Sequence, residues 1–107
     1  MKIVIPLYRK RVAPHFGKVS TVLLVEVRKD SVLHESRYDV GGMNAMETAR
    51  KLLNLEVDTL ICGGIEAYFK DWLIRKGITV VDNQKGEARE ALKKFLESKP
   101  TVGNRKP

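Results

Sequence analysis

A histidine, a single cysteine and a pair of glycines are the residues of this 107-residue chain whose types and spacing could do chemistry. His15 stands between Pro14 and Phe16-Gly17. Imidazole is a common metal ligand, and the same residue could equally cap a turn. Cys62 directly precedes Gly63-Gly64. At the end of an apolar strand its sulfur reads as a small core residue. Facing the glycine turn instead, it would lie among backbone N–H groups that favour the thiolate. Two glycines between a strand and a helix either make a tight connection or free N–H groups beside a helix N-terminus, where anions bind. Glu66 follows within what reads as the first helical turn and would answer that dipole itself. Arg9-Lys10-Arg11 with Lys18 forms a second set, able to contact phosphates or to stay a solvated loop. His34 falls in a polar strand and reads as solvated.

Composition narrows the chemistry. One cysteine excludes an intramolecular disulfide and every multi-cysteine zinc motif. The net charge of +7 raises nucleic acid or an acidic protein as a partner through Arg9, Lys10, Arg11 and Lys18. Base stacking has few rings to use, since Phe69, Trp72 and Phe95 fall on helix stripes that read as core. Two-metal hydrolysis needs clustered carboxylates, and the first strand, Lys2 to Pro6, has none. No nucleophile elbow, phosphate loop or His-x-x-x-His pair occurs. The chain therefore reads as a binding protein and not an enzyme. No apolar run approaches the roughly 18 residues of a membrane span, and a cytoplasmic location is expected.

The elements that must position these groups follow from periodicity. Lys2–Pro6 is a β-branched strand that Pro6 is expected to end, with a loop from Leu7 to Pro14. Thr21–Arg28 is dense in aliphatics and reads as a central strand. Lys29-Asp30 turns it into a polar edge strand, Ser31–Asp39, open to pairing with a partner. Asn44 and Glu47 form a capping box, and Ala45, Ala49, Leu52 and Leu53 share one helical face. Thr59–Cys62 and Ile78–Val81 are short buried strands. Between them Ile65, Phe69, Trp72 and Leu73 repeat at helical spacing before Gly77. Ala88, Ala91, Leu92, Phe95 and Leu96 define a last amphipathic helix.

The order β, β, β, α, β, α, β, α predicts one α/β domain over residues 1–98, a three-layer α/β/α stack around a mixed five-stranded sheet with one antiparallel strand. Residues 99–107 read as a basic, disordered tail. In such sheets ligands gather outside the carboxyl ends of parallel strands. Three segments are expected at that edge: residues 7–17, 62–66 and 82–86.

Pro14-His15-Phe16-Gly17 before a hydrophobic strand, and Ile61-Cys62-Gly63-Gly64-Ile65 before a helix that stops ahead of Gly77-Ile78, resemble the dinitrogenase iron–molybdenum cofactor biosynthesis family. That family includes nitrogenase accessory factors, the C-terminal domain of the cofactor synthase and small stand-alone proteins. The resemblance implies a ribonuclease H-like fold and, in some members, a bound iron–sulfur or iron–molybdenum cofactor precursor exchanged with cluster donor or acceptor proteins. Carried onto this chain, it points to His15 as a metal ligand and Gly63-Gly64 as the glycine turn, with Cys62 beside them. The chain departs from the family pattern at Glu66-Ala67, where a further glycine and a proline are common. It departs again at Gly42-Met43-Asn44, where a histidine often stands.

Overall fold

The computed structural model describes residues 1–98, so the tail expected at 99–107 lies outside the described residues. In chain order the elements are β1 (Lys2–Tyr8), β2 (Arg11–Val12), β3 (Thr21–Arg28), β4 (Ser31–Asp39), α1 (Ala45–Asn54), β5 (Thr59–Ile61), α2 (Ala67–Arg75), β6 (Thr79–Val81) and α3 (Ala88–Ser98). The sheet runs β4-β3-β1-β5-β6, and the two-residue β2 pairs with β1 off this path. β3 is antiparallel to both its neighbours, while β1, β5 and β6 are mutually parallel. The layered α/β fold with a mixed open sheet is as expected.

Two layers of side chains form because β1 and β3 alternate strictly. Ile3, Ile5, Leu7, Leu23, Val25 and Val27 point to one face and pack against Ala88, Ala91 and Leu92 of α3. Val4, Val22 and Leu24 point to the other and meet Ala49 and Leu52 of α1 and Leu73 of α2. Phe16, the largest fully buried side chain, joins this second layer. The Asn44 capping box forms as expected: its carboxamide oxygen accepts from the Glu47 N–H at 2.8 Å and the Glu47 carboxylate accepts from the Asn44 N–H at 2.9 Å. Lys29 and Asp30 both adopt positive φ, 52° and 65°, which makes the β3–β4 connection a primed turn suited to strand twist.

The first strand is longer than expected. Pro6 does not end it, because its carbonyl accepts from the Ala13 N–H at 2.9 Å. Its nitrogen therefore faces the same side, away from β3, and the missing N–H removes no β1–β3 ladder bond. The segment expected as a loop over residues 7–14 is partly a hairpin, with Leu7 opposite Val12, Tyr8 opposite Arg11 and Arg9 at φ 58° in the turn. The strands expected at Thr59–Cys62 and Ile78–Val81 are each one residue shorter as regular structure, at Thr59–Ile61 and Thr79–Val81.

Candidate functional site

Backbone hydrogen bonds bring together the two motifs that the sequence singles out. Gly64 N–H donates to the Pro14 carbonyl at 2.7 Å, and Phe16 N–H donates back to the Gly64 carbonyl at 2.8 Å, a one-step parallel bridge centred on His15. The close approach requires glycine at position 63. A Cβ there would stand 2.4 Å from the Ala13 carbonyl oxygen and 2.7 Å from that of Pro14. Gly63 is itself fully enclosed, and its carbonyl accepts from Asn83 N–H at 2.9 Å.

The two segments joined by the bridge line an open cleft of about 430 Å³ on the α1/α2 side of the sheet. His15, Phe16, Gly17 and Lys18 line one wall; Gly64, Ile65, Glu66 and Phe69 line the other; Ala45 closes one end. This volume falls within the range of about 300–1,000 Å³ usual for small-ligand sites. His15 is exposed and Lys18 is exposed, so an imidazole and an ammonium group both stand at solvent-accessible positions. The N-terminus of α2 opens on the cleft through Ile65-Glu66, while that of α1, which borders it at Ala45, is already closed by its capping box. Glu66 is the N-cap of α2 and not a first-turn residue, and its carboxylate accepts no capping hydrogen bond. The first turn of α2 holds no acid. Its N-terminal amides are thus left without the side-chain answer expected of Glu66.

Cys62 and Gly63 do not line this cleft. Cys62 is completely buried among the α1/α2 core residues, and burial pushes its thiol up to about 12, with Asp82 adding to the rise and Lys70 opposing it. The Lys70 ammonium and Asp82 carboxylate form an ion pair at 3.2 Å. The sulfur is therefore held as a neutral thiol. The N–H of Gly64 is spent on Pro14, so the expected pair of glycine donors is not offered to a ligand as a pair; Gly64 serves the cleft by its closeness to His15. Among the described residues no group of three or more His, Cys, Asp or Glu side chains stands close enough to hold a metal ion.

Of the three segments expected at the strand ends, the first two meet in the cleft. The third runs behind them, where Asn83 and Gln84 N–H groups bond to the Gly63 and Cys62 carbonyls at 2.9 Å each. The basic set is divided. Lys18 lines the cleft on the α1/α2 side, while Lys10 lines a separate cleft with Leu7, Leu23 and Ala88 on the α3 side. Arg9 stacks its guanidinium over Tyr8 at 5.5 Å, and Arg11 lies opposite Glu87. The apolar wall, Ile65 and Phe69, reads in sequence as helix core, and both are only half buried because the cleft opens beside them. No helix among the described residues is long and apolar enough to cross a membrane.

The chain is similar over most of its length to known proteins. An uncharacterized protein of Methanocaldococcus jannaschii, MJ0580, is 26% identical over 104 residues, which cover 92% of this chain and 88% of that protein. The crystal structure of PH0822 superposes with a TM-score of 0.86 at 20% identity, covering 92% of this chain and 91% of the other. A second M. jannaschii protein, named for dinitrogenase and solved by crystallography, superposes with a TM-score of 0.72 at 18% identity, covering 91% and 88%. At these identities the structural likenesses establish the fold. The sequence match that spans residues 1–98, which includes both motifs that build the cleft, is to the family described as dinitrogenase iron–molybdenum cofactor, and the chain belongs to that family.

Proposed function

We propose that this protein is a small non-catalytic carrier that holds an iron–sulfur or iron–molybdenum cofactor precursor as transient cargo in the His15–Glu66 cleft. One observation carries the reading: the backbone bridge between Pro14–Phe16 and Gly64 sets an exposed imidazole at the rim of a partly apolar cleft into which the uncapped N-terminus of α2 opens. An anionic cluster is attracted by the α2 N-terminus and by Lys18, and His15 supplies a nitrogen ligand. Ile65 and Phe69 give it an apolar wall. A single protein ligand suits a carrier, because cargo must leave for an acceptor protein. Cys62 takes no part, since its thiol is neutral and walled off.

The test is anaerobic loading with iron and sulfide or with an isolated precursor, followed by absorbance spectra and metal analysis. Wild type is expected to acquire a visible chromophore, His15→Ala to lose most of it, and His34→Ala to keep it. Identical, cargo-free spectra for wild type and His15→Ala would remove the proposal. The alternative reading, a nucleic-acid or acidic-protein binding module built on Arg9, Lys10, Arg11 and Lys18, is the weaker one because Lys10 and Lys18 line clefts on opposite faces of the sheet.

A further inference from the structure

We propose that two copies of this chain associate edge to edge through β4, about a twofold axis at Ser36. The two edges of the sheet differ sharply. β6 has three residues, whereas β4 has nine and pairs only with β3 among the described residues. Its outer row of N–H and C=O groups is therefore an open template for another strand. β4 carries no proline, and Val32 and Leu33 at its start are 44% and 59% exposed.

Charge complementarity along β4 favours a second copy as the occupant and one register for it. In a symmetric antiparallel pair, each residue meets the one equally distant on the other side of the axis. An axis at Glu35 or at Arg37 sets like charges directly opposite, which is unfavourable. An axis at Ser36 sets Glu35 opposite Arg37 of the second copy and Arg37 opposite its Glu35. His34 then meets Tyr38 on the other face. Both ion pairs fall on the α3 side of the sheet, because Glu35 and Arg37 register with Val25 and Leu23, whose side chains pack in the α3 layer. Glu35 is already oriented there: Arg89 of α3 donates from Nη2 to Oε1 at 2.8 Å and from Nη1 to Oε2. Its carboxylate would lie between its own Arg89 and Arg37 of the second copy. No residue of β4 lines the His15 cleft, so both clefts stay open in the pair. The inference is independent of what the cleft binds.

The experiment measures mass by sedimentation equilibrium over a concentration series of the full chain. Wild type is expected to rise from 12.1 kDa towards twice that value. Arg37→Glu makes both facing residues acidic and Glu35→Arg makes both basic. Each variant alone is expected to stay at the mass of one chain, and an equimolar mixture of the two to regain the doubled mass. Ser36→Cys, treated with a mild copper oxidant, is expected to form a cross-linked pair, since residues at the axis bring their Cα atoms within disulfide range. Leu33→Cys, which would face Asp39, is expected to remain uncross-linked. Circular dichroism checks that each variant is folded. A single-chain mass for wild type at every concentration, with Ser36→Cys left uncross-linked, would overturn the proposal, and would be the result if residues 99–107 or a different protein covered this edge. Folded variants that fail to recombine in the mixture would overturn the register.

Discussion

Gly63→Ala isolates the contact on which the cleft depends. Gly63 does not have positive φ, so alanine meets no backbone strain there, and the usual loss of unfolded-state freedom would favour the variant by about 0.4–1 kcal/mol. Opposing this, the new methyl would stand 2.4 Å from the Ala13 carbonyl oxygen, 2.7 Å from that of Pro14 and 3.0 Å from the Pro14 carbonyl carbon. All three are backbone atoms that cannot rotate aside. Overpacking of this kind costs about 1–3 kcal/mol. Relief requires the Pro14–Phe16 segment to retreat, which breaks the Gly64–Pro14 and Phe16–Gly64 hydrogen bonds. Each such bond contributes about 1 kcal/mol net. The sum is a destabilisation of about 2–5 kcal/mol. Urea unfolding followed by circular dichroism reads it as a lowered midpoint, by about 1.3–5 M at a slope near 1–1.5 kcal/mol per molar. Gly64→Ala is the control: its Cβ would meet the Pro14 oxygen at 3.3 Å and His15 Nδ1 at 3.6 Å, so its loss should be much smaller. A Gly63→Ala midpoint at or above that of wild type would refute the steric reasoning, and with it the idea that position 63 holds the two motifs together.

Other outcomes follow from the same structure. The buried Cys62 thiol should resist a thiol reagent at pH 8 until denaturant is added. Because its proton is held from an ordinary value of 9.0 up to about 12, stability should fall as pH rises through that window, and Cys62→Ala should flatten the fall in urea titrations. Asn44→Ala removes one side of the capping box and should cost about 1 kcal/mol, seen as a lower melting temperature with unchanged far-ultraviolet spectrum at 25 °C. The Arg89 guanidinium holds the Glu35 carboxyl below its ordinary 4.5 by hydrogen bonding, so this pair stabilises above that pH and loses its effect as pH falls through the depressed value. NMR titration of Arg89→Ala should show the Glu35 carboxyl moving back up.

The layers and the order of elements along the chain were legible because β1, β3, α1 and α3 carry strong periodic signals and Asn44 with Glu47 marks a helix start. The meeting of Pro14–Phe16 with the glycine turn was legible as topology, since both segments were expected at the carboxyl ends of the sheet's strands. Four things were not. Pro6 reads as a strand end unless the side its nitrogen faces is known, and only the Ala13–Pro6 bond shows that. Cys62 lies at the boundary between strand and turn, where one residue of register decides between core and cleft. The Gly64 N–H looks free in a sequence because its acceptor, Pro14, lies 50 positions away. Ile65 and Phe69 fit a helix stripe equally well whether the stripe is covered or left partly open, so their half-burial needed the coordinates.

The bridge between Pro14–Phe16 and Gly64 also bears on synthesis. The histidine motif leaves the ribosome early, yet its opposite wall comes from residues 64–69, and β1 lacks its parallel neighbour until Thr59–Ile61 has been made. The hairpin of β3 and β4 can assemble on β1 meanwhile, since those pairings are nearly local. A nascent chain shorter than this has an imidazole but no cleft beside it, so the two sides of the cleft first meet once residues 64–69 have been made.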